Sequence, residues 1–374
     1  MSTRVPRSRL LVAQCGGPTA VVNASLAGVV DAAEGTVLGV RQGIRGLVND
    51  WTTPLLPEDT STWRAEPAAH LESGRFRLDD RHWRAALETC RAHRADRLVL
   101  IGGNGTMYVA AQLQRLAHEA YPELRVVGVP KTVDNDLQGT DWTPGFPSAA
   151  RFLALAVRDI GLDLASMANF EQVRIVETMG RNVGWLARST ALFRDDPDTA
   201  PHLIYTPEMA VPTESIVAAI DETYRRVGHA LVVVSEGLVP RDTHQHLNEP
   251  LIGGVALTLA RIVGSELGIA ARGEVLGTLQ RAASFATSSQ DRRLAYELGQ
   301  AAAGHVDRGD GGLMVRIEGS GTSDVRVGTI ALEAVAGHER PLPAEWVATP
   351  DDPCEPFQQW LRPLIDAEPG EPSD

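Results

Sequence analysis

The sequence predicts an α/β protein with doubly wound, mostly parallel sheets, and three observations carry that reading. Five short apolar runs each end in glycine or a small polar residue: LLVAQCGG (10–17), RLVLIGGNGT (97–106), RVVGVPKT (125–132), VRIVETMG (173–180) and ALVVVSEG (230–237). Their length and lack of polar alternation suit strands buried on both faces. Stretches of helical period lie between several of them, the alternation that builds a parallel sheet. The unusual residues gather at the carboxyl ends of the runs, where open α/β sheets bind their ligands.

Taken in order, the first run passes into CGGPTAVVN (15–23), a glycine turn followed by a helical pattern. After GGNGT, the segment MYVAAQLQRLAHEA sets Val109, Leu113 and Leu116 near one face, which predicts a helix whose N-terminus points to the ligand edge. The third run leads into PKTVDND (130–136). The region from about 140 to 275 holds two of the runs and its own helices, enough for a second lobe. The end, DAEPGEPSD (366–374), is acidic and rich in proline, and reads as a solvated tail.

A net charge of -13 and a pI near 5.3 exclude a general binder of nucleic acid or anionic membrane, since either needs a basic face. Any anionic ligand must be held locally. Cys15, Cys90 and Cys354 form no CxxC pair, so neither a disulfide framework nor a zinc knuckle is expected. The apolar run near the N-terminus reaches glycine too soon for a signal peptide or a membrane span, and a cytoplasmic location is expected. THQH (243–246) has metal-like spacing without an identifiable third ligand, and reads as a loop.

A strand-to-helix turn requires glycine on its own account, so one glycine-rich turn says little. Two at the same sheet edge, GGPT and GGNGT, point to amide N–H groups and a helix dipole approaching phosphate oxygens. Asp134 and Asp136 lie two apart at a strand end, where an extended backbone would aim both carboxylates to one side. One would take a proton from an attacking hydroxyl and the other would anchor Mg²⁺; the competing reading is an Asx-turn. Lys131, the only lysine in the chain, favours a polyanionic ligand. Arg181, after Gly180, is placed to clamp a transferring phosphoryl group. Glu236 ends another run, and Arg75, Arg272 and Arg281 are further candidates.

On the blocks CGGPTAVVNASL, GRF, IGGNGTM, PKTVDNDL, DWTPGFPSAARF, VETMGRNVGWLA, VVVSEG, LGTLQR and ALEAVAG, in that order, the chain resembles the phosphofructokinase A family, with its ATP-dependent and pyrophosphate-dependent branches. The resemblance implies a two-lobed enzyme with its active site in the cleft between lobes. Residues 1–139 and 276–348 would form the phosphoryl-donor lobe and 140–275 the sugar lobe, with 349–374 as an extension. It also implies Mg²⁺ as cofactor, fructose 6-phosphate as acceptor, and a homodimer or homotetramer whose neighbouring subunit completes the sugar site. By motif, Asp134 resembles the catalytic base, Thr132 and Arg181 the residues on the transferred phosphoryl, and Asp136 with Asn104 the metal site. Gly17, Arg75, Gly103, Asn104, Gly105, Thr106 and Lys131 match the donor-phosphate set. Asp136, Met179, Gly180, Glu236, Arg272 and Arg281 match the sugar set.

The departures from the family pattern matter as much. Asn104 and Lys131 look like the pyrophosphate branch. That branch typically has aspartate where Gly105 stands, and glycine leaves room for an ATP α-phosphate, so the expected donor is ATP, with pyrophosphate the alternative. Gln172 stands where the family's arginine meets the sugar 6-phosphate, and Thr278 replaces a histidine of that pocket. Arg174, two residues on, is the candidate to compensate. Another sugar, sugar phosphate or cyclitol as acceptor, and a catalytically silent binding protein, are the competing expectations. The family's effector arginines fall at Ala27 and Asp31, so no nucleotide or phosphoenolpyruvate regulation is expected.

Overall fold

A computed structural model describes residues 9–74, 76–239, 253–319 and 325–365. Arg75, THQH and the acidic tail lie outside the described residues. The strands, in chain order, are β1 (Arg9–Gln14), β2 (Thr36–Val40), β3 (Thr52–Leu55), β4 (Ala95–Gly102), β5 (Arg125–Pro130), β6 (Val173–Thr178), β7 (Leu203–Tyr205), β8 (Ala230–Ser235), β9 (Ala271–Val275), β10 (Leu313–Glu318) and β11 (Arg326–Ala331). All five apolar runs are strands: β1, β4, β5, β6 and β8.

The described residues fall into two compact units, one drawn from Met1–Thr132, Asp136–Gly145 and Ser289–Glu339, the other from Val133–Asn135, Phe146–Ser288 and Arg340–Asp374. The first unit holds a seven-stranded sheet in the order β11-β10-β5-β4-β1-β2-β3. Its centre is parallel, and only the outer strands β3 and β11 run antiparallel to their neighbours. Its core includes Leu11, Leu98, Leu100 and Val126 from the central strands, packed against Met107 and Leu113 of the helix Asn104–Ala120. Of the three residues expected on that helix face, Val109 and Leu113 are buried and Leu116 packs partly buried against the core.

The second unit holds an all-parallel sheet ordered β7-β8-β6-β9. Val173, Ile175, Val232 and Val234 pack into a core on one face of it, while Val176, Leu231 and Val233 pack into another. Burial on both faces is why β6 and β8 show no polar alternation. Trp185 sits in this unit among Trp346, Phe357 and Trp360, a packing role. Among the described residues no helix is long and apolar enough to cross a membrane.

The segment from Lys131 to Asp136 leaves the first unit after Thr132 and returns to it at Asp136. The extended geometry expected between the two aspartates is not what forms. The β5 ladder ends at Pro130, and Asn135 takes a left-handed φ of 57°, a conformation asparagine tolerates better than most residues. Asp134 and Asp136 therefore do not share one face of a strand.

Candidate active site

In the first unit three adjacent strands deliver their ends to one place. Cys15 N–H donates to Ile101 O at 2.8 Å and Lys131 N–H to Gly102 O at 3.0 Å, which ties the ends of β1, β4 and β5 together. A Cβ on Gly103 would lie 3.5 Å from Thr132 Cβ, so the GGNGT turn packs directly on PKT. Thr106 closes over Gly102, where a Cβ would come within 2.2 Å of its hydroxyl. Ser73 and Gly74 reach the first glycine turn: Ser73 Oγ donates to Gly16 O, and Gly16 N–H to Gly74 O.

Lys131 is buried, and its ammonium donates to the carbonyl oxygens of Cys15, at 2.7 Å, and Gly17. The lysine thus braces the CGG turn. Beside it the Cys15 thiol is pushed up to about 12 by burial, with the Lys131 charge pulling the other way. Cys15 stays a neutral packing group at physiological pH.

Asn104 and Asp136 form a pair: Asn104 Nδ2 donates to Asp136 Oδ2 at 2.8 Å and to its carbonyl at 3.0 Å. That orientation leaves Asn104 Oδ1 buried with no hydrogen-bond partner among the described residues. An amide oxygen and a carboxylate from this pair are the kind of hard oxygen donors Mg²⁺ prefers, its remaining positions going to water and phosphate oxygens. Among the described residues no group of three His, Cys, Asp or Glu makes an all-protein metal cage. Next to Asn104, a Cβ on Gly105 would meet nothing within 4 Å, and Gly105 has no positive φ. The backbone does not need glycine there.

The second unit positions Asp134, mostly buried, with Arg181 Nε 3.9 Å from its Oδ2, too long for a tight ion pair. Arg181 adopts a left-handed φ of 49° directly after Gly180 at 135°. The turn is locked from two sides. Glu236 Oε1 accepts the Arg181 N–H at 3.1 Å, and Gly237 lets the chain pass so near that a Cβ there would sit 1.6 Å from Arg181 O. Gln280 Oε1 accepts the Met179 N–H at 2.8 Å, which joins the short helix Leu279–Ala282, carrying Arg281, to the same turn.

At the opposite ends of β6 and β9 lies a charged cluster. Parallel pairing sets Arg174 beside Arg272. Arg174 is buried among Glu171 (2.7 Å), Asp163 (2.8 Å) and Glu274 (3.5 Å), which together hold its guanidinium above the usual arginine range. Arg272 is exposed, with Nε 3.4 Å from Glu171. The Gln172 side chain is fixed to backbone at both ends, Nε2 to Ala168 O and Oε1 from Ala270 N–H, each at 3.0 Å. Three carboxylates thus surround Arg174.

Three positioning residues escaped the sequence reading. Besides Gln280, Glu177 accepts the N–H groups of Gly254 and Ala256 at 3.0 Å each and so caps the helix Val255–Leu267. Glu208 accepts the Gly184 and Leu342 N–H groups, also at 3.0 Å. A carboxylate near the end of a strand as buried as VRIVET was the available signal for Glu177; Gln280 and Glu208 carry none.

The model of the family described as Phosphofructokinase matches residues 9–306. The chain belongs to the phosphofructokinase family. It is a phosphotransferase of that family. Among relatives, it is 36% identical over 96% of its length to a sulfofructose kinase of Alkalicoccus urumqiensis, itself covered to 96%. It is 34% identical over 96% of its length to a pyrophosphate–fructose 6-phosphate 1-phosphotransferase of Rhodospirillum rubrum, covered to 94%. A solved pyrophosphate-dependent phosphofructokinase from Marinobacter aquaeolei superimposes with a TM-score of 0.86 at 31% identity, over 98% of this chain and 94% of that one. Two of these three proteins carry pyrophosphate in their names, and the third is named a kinase.

Proposed function

We propose that this phosphofructokinase-family enzyme transfers a phosphoryl group from pyrophosphate to the 1-hydroxyl of a fructose that carries an anionic group on C6, fructose 6-phosphate or its sulfonate counterpart, with Mg²⁺. The observation that carries the chemistry is the Asp134 carboxylate with the Arg181 guanidinium 3.9 Å from it. Asp134 takes the proton of the 1-hydroxyl as its oxygen bonds to phosphorus and the bridging P–O bond of pyrophosphate breaks, releasing phosphate. A positioned base of this kind contributes about 10²–10⁴-fold. Arg181 and Thr132 meet the charge on the transferring group, and the helix Asn104–Ala120 offers its N-terminal N–H groups to the donor. Asp136 and Asn104 Oδ1 would hold Mg²⁺, which neutralises donor oxygens when bound. Arg272 and Arg281 face the acceptor's distal anion, in a homo-oligomer as the resemblance implies.

Two specific observations favour second readings. The open space at Gly105 suits ATP. Gln172, which presents no cation to the distal phosphate, together with the sulfofructose kinase relative, suits a sulfonate in place of the 6-phosphate. The test is kcat/KM for fructose 6-phosphate with pyrophosphate or ATP, in wild type and Asp134→Asn. Preference for ATP overturns the donor, and an undiminished Asp134→Asn enzyme overturns the mechanism.

A further inference from the structure

We infer that the Glu171 cluster sets the charge of the acceptor's distal group, and that it selects a monoanion such as a sulfonate over a dianion such as a phosphate ester. The inference rests on the proposed role of Arg272 toward that group. Five charged side chains are joined here: Glu171, Asp163 and Glu274 against Arg174 and Arg272. Carboxylates outnumber guanidinium groups. Arg174 is wholly engaged, its side chain 7% exposed. Arg272 is the one guanidinium of the pair open to solvent, at 58%, and its Nε edge faces Glu171. Gln172 adds no charge, and its amide is satisfied by the backbone of Ala168 and Ala270.

An incoming anion gains from the local potential in proportion to its charge, but the cost of removing its water rises roughly with the square of that charge. A strongly positive pocket repays a dianion. A pocket in which Arg281 stands with an Arg272 half-compensated by a buried carboxylate repays a monoanion better. A phosphate monoester carries nearly two charges at pH 7, its second ionisation lying near 6, whereas a sulfonate carries one at any working pH. Glu171 is therefore a specificity-determining residue that acts through Arg272, without touching the acceptor itself.

The experiment compares kcat/KM for fructose 6-phosphate and for its analogue with a sulfonate on C6, using the full chain, Mg²⁺ and whichever of pyrophosphate or ATP supports turnover. Wild type is expected to favour the sulfonate. Glu171→Gln removes one negative charge, and Gln172→Arg adds one positive charge while leaving the five-residue cluster intact. Each should shift the ratio toward phosphate by about tenfold, the effect of one extra unit charge acting over about 6 Å at an effective dielectric near 40. A folding defect would lower both values together and leave the ratio alone, and Gln172→Arg keeps the test open if Glu171→Gln does not fold. Wild-type preference for phosphate, or a ratio unmoved in the folded variants, overturns the inference. Turnover of neither acceptor overturns the acceptor reading beneath it as well.

Discussion

Gly105→Asp separates what the fold needs from what the donor needs. Gly105 is the second residue of the helix Asn104–Ala120, with no positive φ and no atom within 4 Å of a built Cβ, so aspartate enters without strain or clash. Replacing a helical glycine gains up to about 1 kcal/mol in a helix interior, and roughly half of that is a fair allowance for the first turn. A negative charge in the first turn adds about 0.3–1 kcal/mol through the helix dipole. The variant should therefore be more stable by about 1 kcal/mol, seen as a higher urea midpoint at unchanged slope. If pyrophosphate is the donor, its kcat/KM should fall by less than about threefold, whereas any turnover with ATP should fall by more than about tenfold, since the new side chain fills space a nucleotide would use. A destabilised variant would refute the argument that the site is open. A stable variant that loses pyrophosphate activity would refute the choice of donor.

Asp134→Asn should lower kcat by about 10²–10⁴-fold with little change in melting temperature, checked by steady-state kinetics beside thermal unfolding. Lys131→Met leaves two carbonyls of the CGG turn without their ammonium, at about 1–3 kcal/mol for each unsatisfied group, so both stability and donor KM should worsen; unchanged denaturation midpoints would show that the brace is dispensable. His202 is lowered to about 4, by burial first and then by His229 and Arg194. Its unfolded value is near 6.5, so the unfolded chain takes the proton first as pH falls, and stability present above about 6.5 is lost progressively toward 4. At pH 5 the loss from this group is about 2 kcal/mol, and His202→Asn should flatten that part of the pH–stability curve.

The strands most buried on both faces were the most legible. LLVAQ, RLVLIG and ALVVVS contain little besides apolar residues, and runs that short, bounded by glycine or polar residues, suit strands buried on both faces. β9, ARGEV, was invisible because its side chains are charged and half-exposed at the sheet edge, and β7 is only three residues long. The glycine turns were readable because backbone approach leaves a compositional trace. What could not be read was direction. Lys131 reads in sequence as a ligand for donor phosphate, and the fold also sets carbonyls 114 and 116 residues away on its ammonium, while Arg174 reads as a stand-in at the sugar pocket and the fold sets three carboxylates around it. Spacing places a side chain on a strand, and long-range partners decide where it points.

The protonated, inaccessible thiol of Cys15 also makes a built-in clock. A maleimide or iodoacetamide reagent cannot reach Cys15 while it stays buried, so the rate at which that position is alkylated counts how often the fold opens beside the CGG turn. With Cys90 and Cys354 also buried, a replacement of both by serine would leave one reporter beside the glycine turn. Slower alkylation in the presence of pyrophosphate would then register the donor's arrival directly, without any acceptor or turnover.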